Sequence, residues 1–146
     1  MIDPNDTRPP IAKVQRHVVR AEHDGAHTRT SRSDGFNIAE CLNSLDDGAN
    51  LLCLERMDSA PIGSLEVAQK KARTAVIFKS PTKDFADSLT KGTTALLKLD
   101  VLPFEGGIPL IIDGKIVGSI GVSGGAAPQD GQVAQAGADW FKANVK

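Results

Sequence analysis

Two glycine pairs, Gly106-Gly107 and Gly124-Gly125, bracket the most apolar stretch of the chain. If the residues between them fold back as a hairpin, both pairs arrive at the same end of it. Glycine lets backbone amides approach an anion, and Gly125 leads into a helix pattern whose first turn carries Asp130. A mouth of this kind, at a helix N-terminus, favours a carboxylate or phosphate. Its candidate ligand-binding residues are Glu105, Gly106, Gly107, Gly124, Gly125 and Asp130. Arg56, closing a strand pattern, offers a bidentate carboxylate clamp, while Lys71 and Thr74 share a helix face three residues apart. Each has a plainer reading: the glycines as turns, Arg56 with Asp58 as a surface ion pair, Lys71 on a solvated helix face.

His17, His23 and His27 are the only imidazoles, and their spacing is poor for one metal site, although His23 and His27 stand four apart. His17 is the candidate metal ligand. There is no Cys-x-x-Cys pair. With Asp47-Gly48 as a two-residue turn, Cys41 falls opposite Leu54 and Cys53 opposite Leu42, which puts the thiols on opposite faces. Two core cysteines are expected rather than a disulfide or a nucleophile.

The chain around these residues has 146 positions, the size of one domain, with 40% hydrophobic and 24% charged residues. A net charge of -1, five phenylalanines, one tryptophan and no tyrosine give neither a basic field nor stacking platforms, so no nucleic-acid partner is expected. No apolar run is long enough to span a bilayer and no signal-peptide pattern opens the chain, which implies no membrane partner and a cytoplasmic location.

Two regions differ in character. Residues 1–35 hold all three histidines, six basic and five acidic residues. They form an atypical polar N-terminal segment, with a thin helix pattern from Ile11 to Glu22 and then loop or disorder. Residues 36–146 carry the domain. Ile38 to Leu45 and Asn50 to Arg56 read as a hairpin. Ser64 caps a helix to about Phe78, whose row Leu65, Ala68, Ala72 and Ala75 or Val76 faces a core. Its second row, Val67, Lys71, Thr74 and Phe78, is expected to stay partly exposed for a partner subunit. Short helices follow from Ser80-Pro81 and through Ala95 to Leu99. Ile108 to Ile112 and Lys115 to Val122 form a second hairpin around Asp113-Gly114, and Gly118, Ser119 and Gly121 imply close approach of a helix or ligand. A last helix buries Val133, Ala136 or Gly137, and Trp140. The order predicts an α+β fold, an antiparallel sheet flanked by helices on both faces.

The run from Glu105 to Gly125 followed by Gln129-Asp130, with Leu54 to Pro61 and Ala68-x-x-Lys71-Ala72-x-Thr74-Ala75, resembles the GlcG/HbpS family from about Asp46 to Ala143. The resemblance implies a five-stranded antiparallel profilin-like sheet, a tendency to homo-oligomers, and a pocket that in some members binds haem or its iron. Members usually begin with an alanine- and leucine-rich helix, from which the segment before Gly35 departs. No ligand from that first helix is carried over. A haem propionate or a small organic acid suits the glycine mouth, and His17 is the axial candidate in a chain without tyrosine.

The leading expectation is a small-ligand binding module for a small anionic ligand, haem, another tetrapyrrole or iron. The alternatives are an organic-acid isomerase or lyase, with Arg56 holding a carboxylate while Asp130 or Glu105 moves a proton, and an oligomeric accessory protein with an empty pocket. No nucleophile and base stand together in the sequence.

Overall fold

The computed structural model describes residues 41–145. The expected polar segment 1–35, the helix from Ile11, the start of the first strand and all three histidines, His17 included, lie outside the described residues.

Strands β1 (Cys41–Asp46) and β2 (Leu51–Arg56) are followed by helix α1 (Ser64–Phe78), helix α2 (Thr82–Thr90) and a 3-10 turn (Thr94–Lys98). Strands β3 (Gly107–Ile112) and β4 (Lys115–Ser123) then lead into helix α3 (Ala127–Asn144). The sheet runs β2-β1-β4-β3 with every pair antiparallel. Among the described residues it has four strands, which corrects the expected five. The β3–β4 hairpin turns at Asp113-Gly114 as expected, with φ of 49° and 73°, the left-handed pair such a turn requires. Pro109 sits on the edge strand β3, where a missing N–H costs least.

The first hairpin differs from its expected register. Cys41 pairs with Arg56 and Ser44 with Cys53, two positions from the two-residue-turn prediction. The cause is Asp46, whose Oδ1 accepts from the Gly48 and Asn50 amides at 2.9 and 2.8 Å and stabilises a wider loop. A shift of two preserves the faces, so Cys41 and Cys53 are still on opposite sides, both as thiols.

Helices cover both sides of the sheet. On one side Leu42, Leu110, Ile120 and Val122 pack against Val133, Ala134 and Phe141 of α3. Phe141 holds the centre of that stripe, with the expected Trp140 at its margin. On the other side Ala68, Ala72 and Val76 of α1 meet Cys41 and Leu45. Here Asn43, Gly121 and Gly107 form one row across β1, β4 and β3. A Cβ on Gly121 would overlap the Ala68 carbonyl oxygen, and one on Gly107 the Lys71 carbonyl oxygen. The glycines therefore let α1 settle directly on the sheet backbone, as the small residues of β4 implied. Ser119 adds a bond from its hydroxyl to the Ala72 carbonyl at 2.8 Å.

Candidate functional site

The close seating of α1 determines where Lys71 goes. Three residues after Ala68 and next to Ala72, it is buried beneath the helix, and its Nζ reaches the end of β4. There the two glycine bends flank one side chain: a Cβ on Gly106 would lie 3.0 Å from Asp130 Cβ, and Asp130 Oδ1 accepts from the Gly125 amide at 2.9 Å. Gly106 has φ of 123°, and a side chain on it would strike the Val122 carbonyl and lie 3.0 Å from Lys71 Nζ. Only glycine allows the bend and the ammonium to share that space.

Lys71 Nζ donates to Asp130 Oδ2 at 2.7 Å and to the Val122 carbonyl at 2.9 Å. Both side chains are almost wholly buried, at 2% and 3% exposure. Asp130 Oδ1 in turn accepts from the Gly125 amide at 2.9 Å. The negative group at the N-terminus of α3 is thus the chain's own carboxylate. Burial raises the Asp130 pKa above the ordinary 3.8, and the Lys71 ammonium together with the Gly125 and Gly124 amides pulls the other way.

Outside this buried pair lies a more exposed one. Lys83 of α2 donates to Glu105 Oε1 at 3.1 Å and to Asp87 Oδ1 at 3.2 Å, and these partners raise its pKa. The Glu105 carboxylate lies over Gly131, whose missing side chain leaves room for it. Thr82, fully buried, accepts from the Gly107 amide at 2.9 Å and so fastens α2 to the first bend. Sequence reasoning missed Thr82; its signal was a hydroxyl directly after Pro81 at a helix start.

Glu105, Gly106, Gly107, Gly124, Gly125, Asp130 and Lys71 are therefore gathered at one end of the sheet. Thr74 is buried beside them and accepts from the Leu102 amide at 3.0 Å. The expected exposed row of α1 is corrected at these two positions, because the chain itself covers Lys71 and Thr74; Phe78 alone of that row is exposed. Arg56 closes edge strand β2 in the cross-strand row of Cys41 and Ser123, two strands from the Gly124 bend, and its Nη1 donates to the Ala60 carbonyl at 2.9 Å. Among the described residues no group of three or more His, Cys, Asp or Glu is placed to hold a metal ion. No helix among them is long and apolar enough to cross a membrane.

Comparison with known proteins agrees with this architecture. Residues 25–139 match the family model described as haem degrading protein HbpS-like. Protein GlcG of Escherichia coli K12 is 45% identical over 80 residues, covering 53% of this chain and 59% of GlcG. The chain thus spans less than two thirds of that relative. Among solved structures, a PduOC:haem complex superposes with a TM-score of 0.71 at 28% identity, covering 88% of this chain and 91% of the other. The crystal structure of HbpS gives 0.69 at 28% identity, with 94% and 92% covered. With the four-stranded sheet, its two helical layers and the glycine-bordered end on the page, these matches establish that the chain belongs to the GlcG/HbpS family.

Proposed function

We propose that the chain is a small-ligand binding module that takes haem, a related tetrapyrrole or its iron at the glycine-bordered end of the sheet. The observation that carries this reading is that both glycine bends border Asp130 at one end of the sheet, Gly106 beside its Cβ and the Gly125 amide donating to its Oδ1 at 2.9 Å. Half-buried Gly124 and Gly125 border this end, and Phe104, 55% exposed, directly precedes Glu105. An apolar ring next to polar backbone and a cation suits a macrocycle with acidic edges. The family description and the haem complex of a structural neighbour support the same ligand class. Bound haem would supply a redox-active iron, and His17 is the proposed axial ligand.

The organic-acid isomerase or lyase is less well supported. Of its two proposed proton carriers, Asp130 has both oxygens bonded within the protein and almost no exposure, and Glu105 is paired with Lys83 at 3.1 Å. Self-association belongs to the proposal as well, because Ile77, Phe78, Leu97, Leu99 and Phe104 leave apolar surface in solvent. Titration with haemin followed at the Soret band tests the reading, and His17→Ala tests the axial assignment.

A further inference from the structure

Among the described residues an aspartate precedes a glycine at Asp47-Gly48, Asp113-Gly114 and Asp130-Gly131, and the fold holds the three pairs differently. In the β1–β2 loop the Gly48 amide donates to Asp46 Oδ1 at 2.9 Å, and a Cβ on Gly48 would lie 2.9 Å from Asn50 Nδ2. Asp130 is buried in the first turn of α3 with both carboxylate oxygens bonded. Asp113-Gly114 forms the tip of the β3–β4 hairpin, both residues exposed, with φ of 49° and 73°. No hydrogen bond among the described residues holds the Asp113 carboxylate or the Gly114 amide, and nothing lies within 4 Å of where a Gly114 side chain would stand. Glycine leaves its amide nitrogen unhindered and its backbone free to turn that nitrogen toward the preceding carboxyl.

We propose that Asp113 is a site of spontaneous backbone isomerisation, where the aspartyl link to Gly114 converts to an isoaspartyl link, while the fold protects Asp47 and Asp130. The Gly114 nitrogen attacks Asp113 Cγ. A C–N bond forms, a Cγ–O bond breaks, and the carboxyl's hydroxyl leaves with the amide proton as water, giving a cyclic imide. Solvent water then opens the ring. Attack at the main-chain carbonyl breaks its bond to the Gly114 nitrogen and leaves the isoaspartyl link; attack at Cγ restores aspartate. One water is lost and one regained, with no change of oxidation state. The new link carries the main chain through the side-chain carbon and lengthens a two-residue turn whose geometry sets the Ile112–Lys115 pair. This tip lies at the opposite end of β3 and β4 from Gly107 and Gly121, so the change is independent of the proposed haem site.

The test incubates the full chain in mildly acidic buffer, folded and in urea, and follows isoaspartate at each aspartate by peptide mapping with fragmentation that separates the two linkages. In the folded chain isoaspartate accumulates at Asp113 about fivefold or more faster than at Asp47, the factor that one net hydrogen bond is worth, and slowest at Asp130. In urea the three sites converge, because the same Asp-Gly chemistry then runs without the fold. Asp113→Gly, which keeps a residue pair suited to the turn, abolishes the signal at that position. If that variant does not fold, the comparison of folded with unfolded wild type decides alone. Equal rates at Asp113 and Asp47 in the folded chain overturn the proposal. So does an Asp113 that stays unchanged when folded while the urea sample forms isoaspartate there.

Discussion

Lys71 Nζ lies 2.7 Å from Asp130 Oδ2, joining the middle of α1 to the first turn of α3 through the end of β4. Both partners are buried, so the pair is poorly screened by solvent, and its members depend on each other more than on anything else nearby.

The first prediction concerns that dependence. Lys71→Met alone leaves Asp130 buried without its cation and lowers stability by about 3–5 kcal/mol. The double variant Lys71→Met with Asp130→Leu recovers most of the loss, since neither charge remains buried. Urea unfolding of the two single variants and the double variant checks this as a double-mutant cycle. Additive losses would show that the pair is not coupled.

The pH dependence has a definite sign. Asp130 binds its proton more tightly folded than unfolded, because its folded pKa is raised above 3.8. Its contribution to stability is therefore fully present below pH 3.8 and is lost as pH rises through the raised value. Urea midpoints measured across this window should fall with rising pH in the wild type relative to Asp130→Asn, in which this component is missing.

Gly121→Ala should destabilise strongly, because the new methyl overlaps the Ala68 carbonyl oxygen and backbone cannot yield as a side chain can. A loss of about 3 kcal/mol or more is expected, at the upper end for overpacked cores. Gly63→Ala, where nothing lies within 4 Å of the new methyl, serves as the control and changes stability little.

Asn43 is buried on β1 with neither side-chain polar atom hydrogen-bonded among the described residues. Replacing it with leucine removes a desolvation cost of about 1–3 kcal/mol without breaking a bond. Asn43→Leu should be as stable as the wild type or more so in thermal melts, whereas a clear drop in Tm would mean that the amide is bonded in solution.

Much of this fold is visible in the residue pattern, for identifiable reasons. Asp113-Gly114 requires a tight turn, Gly118 to Gly121 announces a close helix, and Ala68, Ala72 and Ala75 mark the face that meets it. The register of β1 and β2 was hidden because it depends on four bonds to the Asp46 carboxylate, which override the Asp47-Gly48 turn signal. At the site, the sequence indicates that the bends lie at one end of the sheet but not what stands between them. Lys71 reads as a solvent-facing lysine by residue type and by its row with Val67 and Phe78, while its spacing three after Ala68 and four before Ala75 is the cue to burial. Asp130 reads as a helix-dipole residue, and only the packed structure reveals the cation opposite it.

The most direct test of the proposed function is a haemin titration of the purified full-length chain, recorded from pH 5.5 to 8.5. A saturable, stoichiometric Soret shift is expected, lost or moved in His17→Ala and unchanged in Arg56→Ala, whose side chain is bonded to its own loop. A spectrum that remains that of unbound haemin at every pH and protein concentration would contradict the account.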